Sequence, residues 1–220
     1  MSATAHRFIV IEGPIGVGKT SLARRLSQSL NAQLVLEQAD QNPFLERFYK
    51  SPRAAAFATQ LFFLFQRARQ MEEARQEDLF GAVRVSDYLL EKDRLFARVT
   101  LDDAEYALYE KVYERFVTDT PVPDLVVYLQ APVDILLDRI ARRGIRYEQA
   151  IDRGYLERLT QAYARFFHGY DASPLLIVNA ASIDPANNDA DYQLLYSEIC
   201  KPRRGRHFFN PSGTSLLTSG

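Results

Sequence analysis

Apolar positions along this chain recur in two alternating periods. Five short runs read as buried strands: Arg7–Glu12 (RFIVIE), Gln33–Glu37 (QLVLE), Val83–Asp87 (VRVSD), Leu125–Gln130 (LVVYLQ) and Leu175–Asn179 (LLIVN). Between them the spacing lengthens towards 3.6 residues, which predicts helices over Lys19–Leu30, about Arg53–Gln76, Leu101–Thr118, Val133–Arg142, Arg153–His168 and Asp189–Ile199. In Leu101–Thr118, for example, Tyr106, Tyr109, Val112, Tyr113 and Phe116 fall on one face. Strands this apolar, with helices on either side, are covered on both faces. The pattern therefore predicts an α/β fold around a five-stranded parallel sheet.

Composition narrows the classes. The chain has 220 residues and a net charge of −1, so it carries no global basic field for a nucleic acid polymer or an anionic membrane. Its densest apolar stretch, Ala54–Phe65, is broken by Thr59 and Gln60 and is too short to span a bilayer. A lone Cys200 excludes a disulfide framework, and His6, His168 and His207 are scattered. The first apolar run begins by Phe8, too early for a signal or transit peptide, so the expectation is a cytoplasmic, single-domain protein. One domain spans residues 1–200. The segment 201–220, with Lys201, Arg203, Arg204 and Arg206 and no acid, reads as a mobile, solvated tail.

The chemistry starts at Gly13-Pro14-Ile15-Gly16-Val17-Gly18-Lys19-Thr20, followed by Ser21, which fits G-x-x-x-x-G-K-[ST] between a strand and a helix. Glycines let the backbone N–H groups turn inward around an anion, and the next helix adds its free N–H groups and positive dipole end. Lys19 is placed to reach the β- and γ-phosphates of ATP, and the Thr20 hydroxyl to ligate Mg²⁺. No guanine-reading N-K-x-D follows the late strands, which leaves mainly the small-molecule kinases.

The acceptor side is read from four further features. Glu37 ends the second strand, where parallel-sheet enzymes place site residues, and can take the proton of an attacking hydroxyl. Asp87 ends the third strand and can hold Mg²⁺ through water, or it can cap the next helix. Gln60 and Arg67 lie seven residues apart on one stripe of the long helix. Two readings stand for them: exposure at a helix edge, or burial against a planar heterocycle that satisfies their polar groups. Arg139, Arg142, Arg143 and Arg146 form a basic stretch able to fold over a triphosphate, with a lid over about 142–151.

With these residues assembled, the chain resembles the deoxynucleoside kinase family, and more closely its bacterial deoxyadenosine/deoxyguanosine kinase branch. The markers are EGPIGVGKT, the glutamate ending strand two, NPFLERFY, AAAFATQLFFLFQR, SDYLLEKDRLFA, RIARRGIRYEQAI and YLERL, over Phe8 to about Ile199. The resemblance implies a P-loop kinase fold, a homodimer, and Mg²⁺ with ATP. It implies Glu37 as general base, Tyr49 and Glu148 at the sugar 3′-hydroxyl, Gln60 and Arg67 at the base, and Arg139 and Arg143 at the phosphates. An acid such as Asp93 can re-aim Arg67.

Two departures stand out. Many members carry acid-Arg-Ser after strand three, whereas this chain has Asp87-Tyr88-Leu89, leaving Arg84 and Arg94 as nearby candidates for the missing cation. The lid reads Arg143-Gly144-Ile145-Arg146, so Arg146 stands one position late. The expected reaction is ATP-dependent phosphorylation of a deoxynucleoside 5′-hydroxyl, purines preferred, in nucleotide salvage. A thymidylate-type monophosphate kinase and a non-catalytic nucleotide-binding subunit are the rivals.

Overall fold

A computed structural model describes residues 4–77, 82–117 and 121–211. Their strands are β1 (Phe8–Glu12), β2 (Gln33–Val35), β3 (Arg84–Ser86), β4 (Leu125–Gln130), β5 (Leu175–Asn179) and β6 (Arg206–Phe209). The helices are α1 (Lys19–Leu30), α2 (Leu45–Lys50), α3 (Pro52–Glu77), α4 (Lys92–Thr100), α5 (Asp103–Phe116), α6 (Val133–Arg143), α7 (Arg153–Gly169) and α8 (Asp189–Ile199). The strands form one sheet in the order β2-β3-β1-β4-β5-β6, and every pairing is parallel. The central strands β1, β4 and β5 are buried almost throughout, as their unbroken apolar runs require.

Element ends follow local chemistry. Helix α5 starts in a capping box, with Glu105 N–H donating to Asp102 Oδ1 at 2.9 Å and the Glu105 side chain returning to the Asp102 amide. Helix α7 starts where Asp152 accepts from Tyr155 N–H at 2.9 Å. Gly144 closes α6 at φ +69°, and a 3-10 turn over Arg146–Ala150 leads on to α7. Thr118, the expected end of α5, lies outside the described residues, and the helix closes at Phe116.

The sheet has six strands where five were expected, and the sixth comes from the segment read as a tail. Strand β6 pairs with the outer edge of β5. Arg206 in β6 donates to the carbonyls of Phe167 and His168, the closing turn of α7, at 3.0 and 2.7 Å. The basic charge that suggested a solvated tail is thus used on helix-end carbonyls, and the strand covers an otherwise open sheet edge. Residues 212–220 lie outside the described residues.

Candidate active site

Strand β1 runs into the phosphate loop, and the loop's shape is backbone-driven. Gly13 has φ +148°, and a Cβ there would lie 2.5 Å from the Leu129 carbonyl oxygen. Gly18 caps α1 in a left-handed conformation at φ +105° without a side-chain cap, so the first N–H groups of the helix open towards the loop. Lys19 Nζ donates to the Gly13 and Pro14 carbonyls at 2.7 and 3.1 Å. Burial, together with the nearby Lys92 ammonium, pushes Lys19 down to about 8. Lys19, Thr20 and Ser21 line one cleft with Arg139 and Arg143.

Beneath the loop lies Glu12, fully buried and absent from the sequence-based site. Its Oε1 accepts from Gly13 N–H and the Tyr163 hydroxyl, both at 2.9 Å, and its Oε2 accepts from Leu89 N–H at 2.7 Å. One carboxylate thereby ties the start of the loop to the segment after β3. Its signal in the sequence was an acid closing an otherwise apolar strand.

The two acids predicted at the carboxyl edge do meet there. Asp87, 2% exposed, accepts from the Thr20 hydroxyl at 2.5 Å through one oxygen and from Glu37 N–H at 2.8 Å through the other. Burial and the Glu37 charge push its carboxyl up, against those two hydrogen bonds. The Glu37 carboxylate is held by two cations: Arg67 Nη2 on Oε1, and Lys92 Nζ on Oε2 at 2.9 Å. Burial by itself would raise its pKa, but the paired cations prevail and hold it well below the usual carboxylate range.

Helix α3 resolves the choice left open for Gln60 and Arg67, since both are buried at 2% exposure. The Arg67 guanidinium bridges Glu37 and Asp93 and lies 4.7 Å from the Phe63 ring centroid. Both ends of its fork are therefore spoken for by carboxylates, and Asp93 is the acid that aims it. Burial pushes the Asp93 carboxyl up to about 6, against the Arg67 charge. Among the described residues, Gln60 Oε1, Arg67 Nε and Asp93 Oδ2 have no protein partner. Unpartnered buried polar atoms of both kinds fit a heterocycle with donor and acceptor edges.

The lid region places Glu148 at 8% exposure, with Arg143 Nη2 donating to it at 2.5 Å. Tyr49 stacks on Tyr147 with ring centroids 6.2 Å apart and planes 8° apart. Burial, with the nearby Tyr155 ring and the Glu148 and Glu37 charges, keeps its hydroxyl protonated. Tyr49, Glu148 and Glu37 thus share one neighbourhood. Arg139 takes a different post: it donates to the carbonyls of Val17, Ala180 and Ile183 at 3.2, 2.8 and 3.1 Å, pinning the loop to the segment after β5. Arg146 is exposed.

Against known proteins, the model of the family described as "Deoxynucleoside kinase" matches residues 9–201. The chain belongs to the deoxynucleoside kinase family. It is a kinase, and this kinase is 34% identical over 197 residues to the deoxyguanosine kinase of Bacillus subtilis (strain 168), covering 87% of this chain and 95% of that one. It is 32% identical to a deoxyadenosine kinase of Lactobacillus acidophilus, over 82% of this chain and 88% of that one. A solved deoxyadenosine kinase from M. mycoides with bound dATP superposes with a TM-score of 0.78 at 26% identity, covering 89% of this chain and all of that one. Strand β6 lies beyond the span matched by the family.

Lys92 is, after Glu12, the second residue of the kinase that sequence reasoning missed. Neither arginine considered for the missing cation meets Glu37. Arg84 Nε donates to Gln33 Oε1 at 3.2 Å, and Arg94 pairs with Glu110 at 2.8 Å on an outer face. A signal was available in the adjacent Lys92-Asp93, a charged pair in a segment whose Leu89, Leu90 and Leu95 are core residues.

Proposed function

We propose that the protein transfers the γ-phosphoryl group of ATP, with Mg²⁺, to the 5′-hydroxyl of a deoxynucleoside, purine deoxynucleosides preferred. The observation that carries this reading is the placement of Glu37. An ionised carboxylate stands at the sheet's carboxyl edge, hydrogen-bonded through its backbone to Asp87, which in turn bonds Thr20 of the phosphate loop. In the transfer, the bond from O5′ to the γ-phosphorus forms, the bond from that phosphorus to the ADP oxygen breaks, and the hydroxyl proton passes to Glu37. Two cations keep Glu37 ionised at neutral pH and make it a weak base. A loose phosphoryl-transfer transition state needs positioning and charge stabilisation more than strong basicity, so a weak base suffices.

The residues present fit a magnesium ion. No cluster of three or more metal-ligating side chains occurs among the described residues. Mg²⁺ characteristically takes one or two protein ligands and completes its shell with phosphates and water, and the Thr20 hydroxyl and the Asp87 carboxylate supply that pair. Held by these two residues, Mg²⁺ would supply positive charge to offset that of the triphosphate. Gly13, Pro14, Ile15, Gly16, Val17, Gly18, Lys19, Thr20 and Ser21 cradle the triphosphate, Arg143 closes over it, and Arg139 holds the cradle's shape.

On the acceptor side, Tyr49 and Glu148 meet the 3′-hydroxyl, while Gln60 and the Arg67–Asp93 pair face the base. The purine preference is supported by the names of the relatives, a deoxyguanosine and a deoxyadenosine kinase. The same reading makes the protein a cytoplasmic homodimer of nucleotide salvage. No helix among the described residues is long and apolar enough to cross a membrane.

A coupled assay with ATP and each deoxynucleoside and deoxynucleoside monophosphate tests the reading. Turnover of deoxyadenosine or deoxyguanosine above thymidine is expected. Turnover of monophosphates alone would make the protein a thymidylate-type kinase, and nucleotide binding without turnover would make it a regulatory subunit.

A further inference from the structure

The triplet after β3 raises a question of charge. The residue after the strand-three acid Asp87 is Tyr88 in this chain. Tyr88 is fully buried, packs with Val35, Met71 and Leu90, and donates its hydroxyl to Gln70 Oε1 at 2.9 Å. It supplies no charge. Three carboxylates, those of Glu37, Asp87 and Asp93, nevertheless converge on this edge of the sheet.

Lys92 comes from the other side. It opens α4 at 2% exposure, with its ammonium 2.9 Å from Glu37 Oε2 and 5.8 Å from the centroids of both Tyr88 and Phe96. A cation at the positive end of a helix, taken out of water, is doubly disfavoured, so its place depends on the carboxylates it faces. The same ammonium is the foremost charge acting on Lys19 of the phosphate loop. It is therefore near enough to the phosphate loop to act on Lys19 while it holds Glu37.

We infer that Lys92 is a positioning residue for phosphoryl transfer, fixing Glu37 through Oε2 and supplying from the start of α4 a positive charge among the carboxylates at this edge. This rests on the proposed kinase reading. The hydroxyl proton goes to Glu37, and Lys92 takes no part in its transfer. An arginine offers a rigid fork of donors, whereas lysine offers a compact charge with three rotatable N–H groups, one of them committed to Glu37.

The test compares wild type, Lys92→Met and Lys92→Arg in steady-state turnover of ATP and a purine deoxynucleoside, with kcat and KM read separately. Arg94→Gln serves as a control expected to match wild type. Lys92→Met is expected to lower kcat by about 10²- to 10³-fold with KM for ATP changed by less than about threefold. The loss is expected in kcat because the Glu37 carboxylate keeps only one of the two cations that fix it. Arg67 from α3, Asp87 after β3, Lys19 from α1 and Tyr49 from α2 still face that carboxylate and are unchanged. Lys92→Arg, keeping the charge, should recover turnover to within about tenfold of wild type.

A folded Lys92→Met with near-wild-type kcat overturns the inference, as does a loss that falls on the KM for ATP and not on kcat. Should Lys92→Met fail to fold, Lys92→Arg decides: recovered turnover supports the role, and intact ATP binding without turnover overturns it. An inactive wild type defeats the proposed function and this inference together, whereas an active wild type indifferent to Lys92 defeats only the inference.

Discussion

The phosphate loop and the acceptor cluster lie side by side but are built by opposite means. The loop is nine consecutive residues, Gly13 to Ser21, working mainly through backbone N–H groups, with glycine conformations that side chains would forbid. The cluster draws Glu37, Gln60, Arg67, Asp87, Lys92 and Asp93 from the ends of β2 and β3 and from α3 and α4. It works through buried side-chain charges that balance one another. A backbone anion site depends on local shape, whereas a buried charge network depends on every member at once, because removing one leaves its partner uncompensated. The two regions should therefore fail differently.

The widest separation is expected for Glu37→Gln. Turnover should fall by about 10²- to 10⁴-fold while ATP affinity, measured by calorimetry, stays near wild type. Parallel loss of ATP binding would mean that the regions are not separable.

Arg67→Met should show the network's interdependence. Removing the cation between Glu37 and Asp93 should cost about 3–5 kcal/mol in denaturant unfolding, as for other broken buried pairs. A variant as stable as wild type would show that the two carboxylates find other partners.

Gln60→Leu separates stability from binding. Its amide oxygen has no protein partner, so the change should leave unfolding midpoints equal or higher. The KM for the nucleoside should nevertheless rise by about 10- to 100-fold, the cost of a lost buried hydrogen bond of about 1–3 kcal/mol. An unchanged KM would remove Gln60 from the base site.

The smallest effect concerns pH. Lys19, lowered to about 8, is charged below that pH and neutral above it. The kcat/KM for ATP should therefore fall as pH rises through about 8, by at most tenfold for each further pH unit. Glu37, held below the usual carboxylate range, stays ionised and should add no limb between pH 6 and 8. A profile flat through pH 9 would show that Lys19 is protonated more firmly than its burial implies.

Much of this molecule is legible in one dimension. Helices α1 and α8 and strands β4 and β5 have the bounds that their periodicity predicts, because each is set by a continuous apolar face and by its own flanking residues. The phosphate loop is legible for the same reason, since its glycines, lysine and threonine are neighbours in the chain. Strand β6 was not: its four residues are defined by pairing with β5 and by Arg206 reaching α7, and neither partner is near in sequence.

The acceptor cluster divides in the same way. Glu37 and Asp87 could be placed from the sequence because strand ends in a parallel sheet share one edge. That Arg67 joins Glu37 to Asp93, that Arg139 serves loop carbonyls, and that Lys92 pairs with Glu37 were decided only by tertiary structure. Periodicity determines which residues turn inward. It does not determine which buried charge meets which, because that choice is made by desolvation and distance among groups up to 55 residues apart.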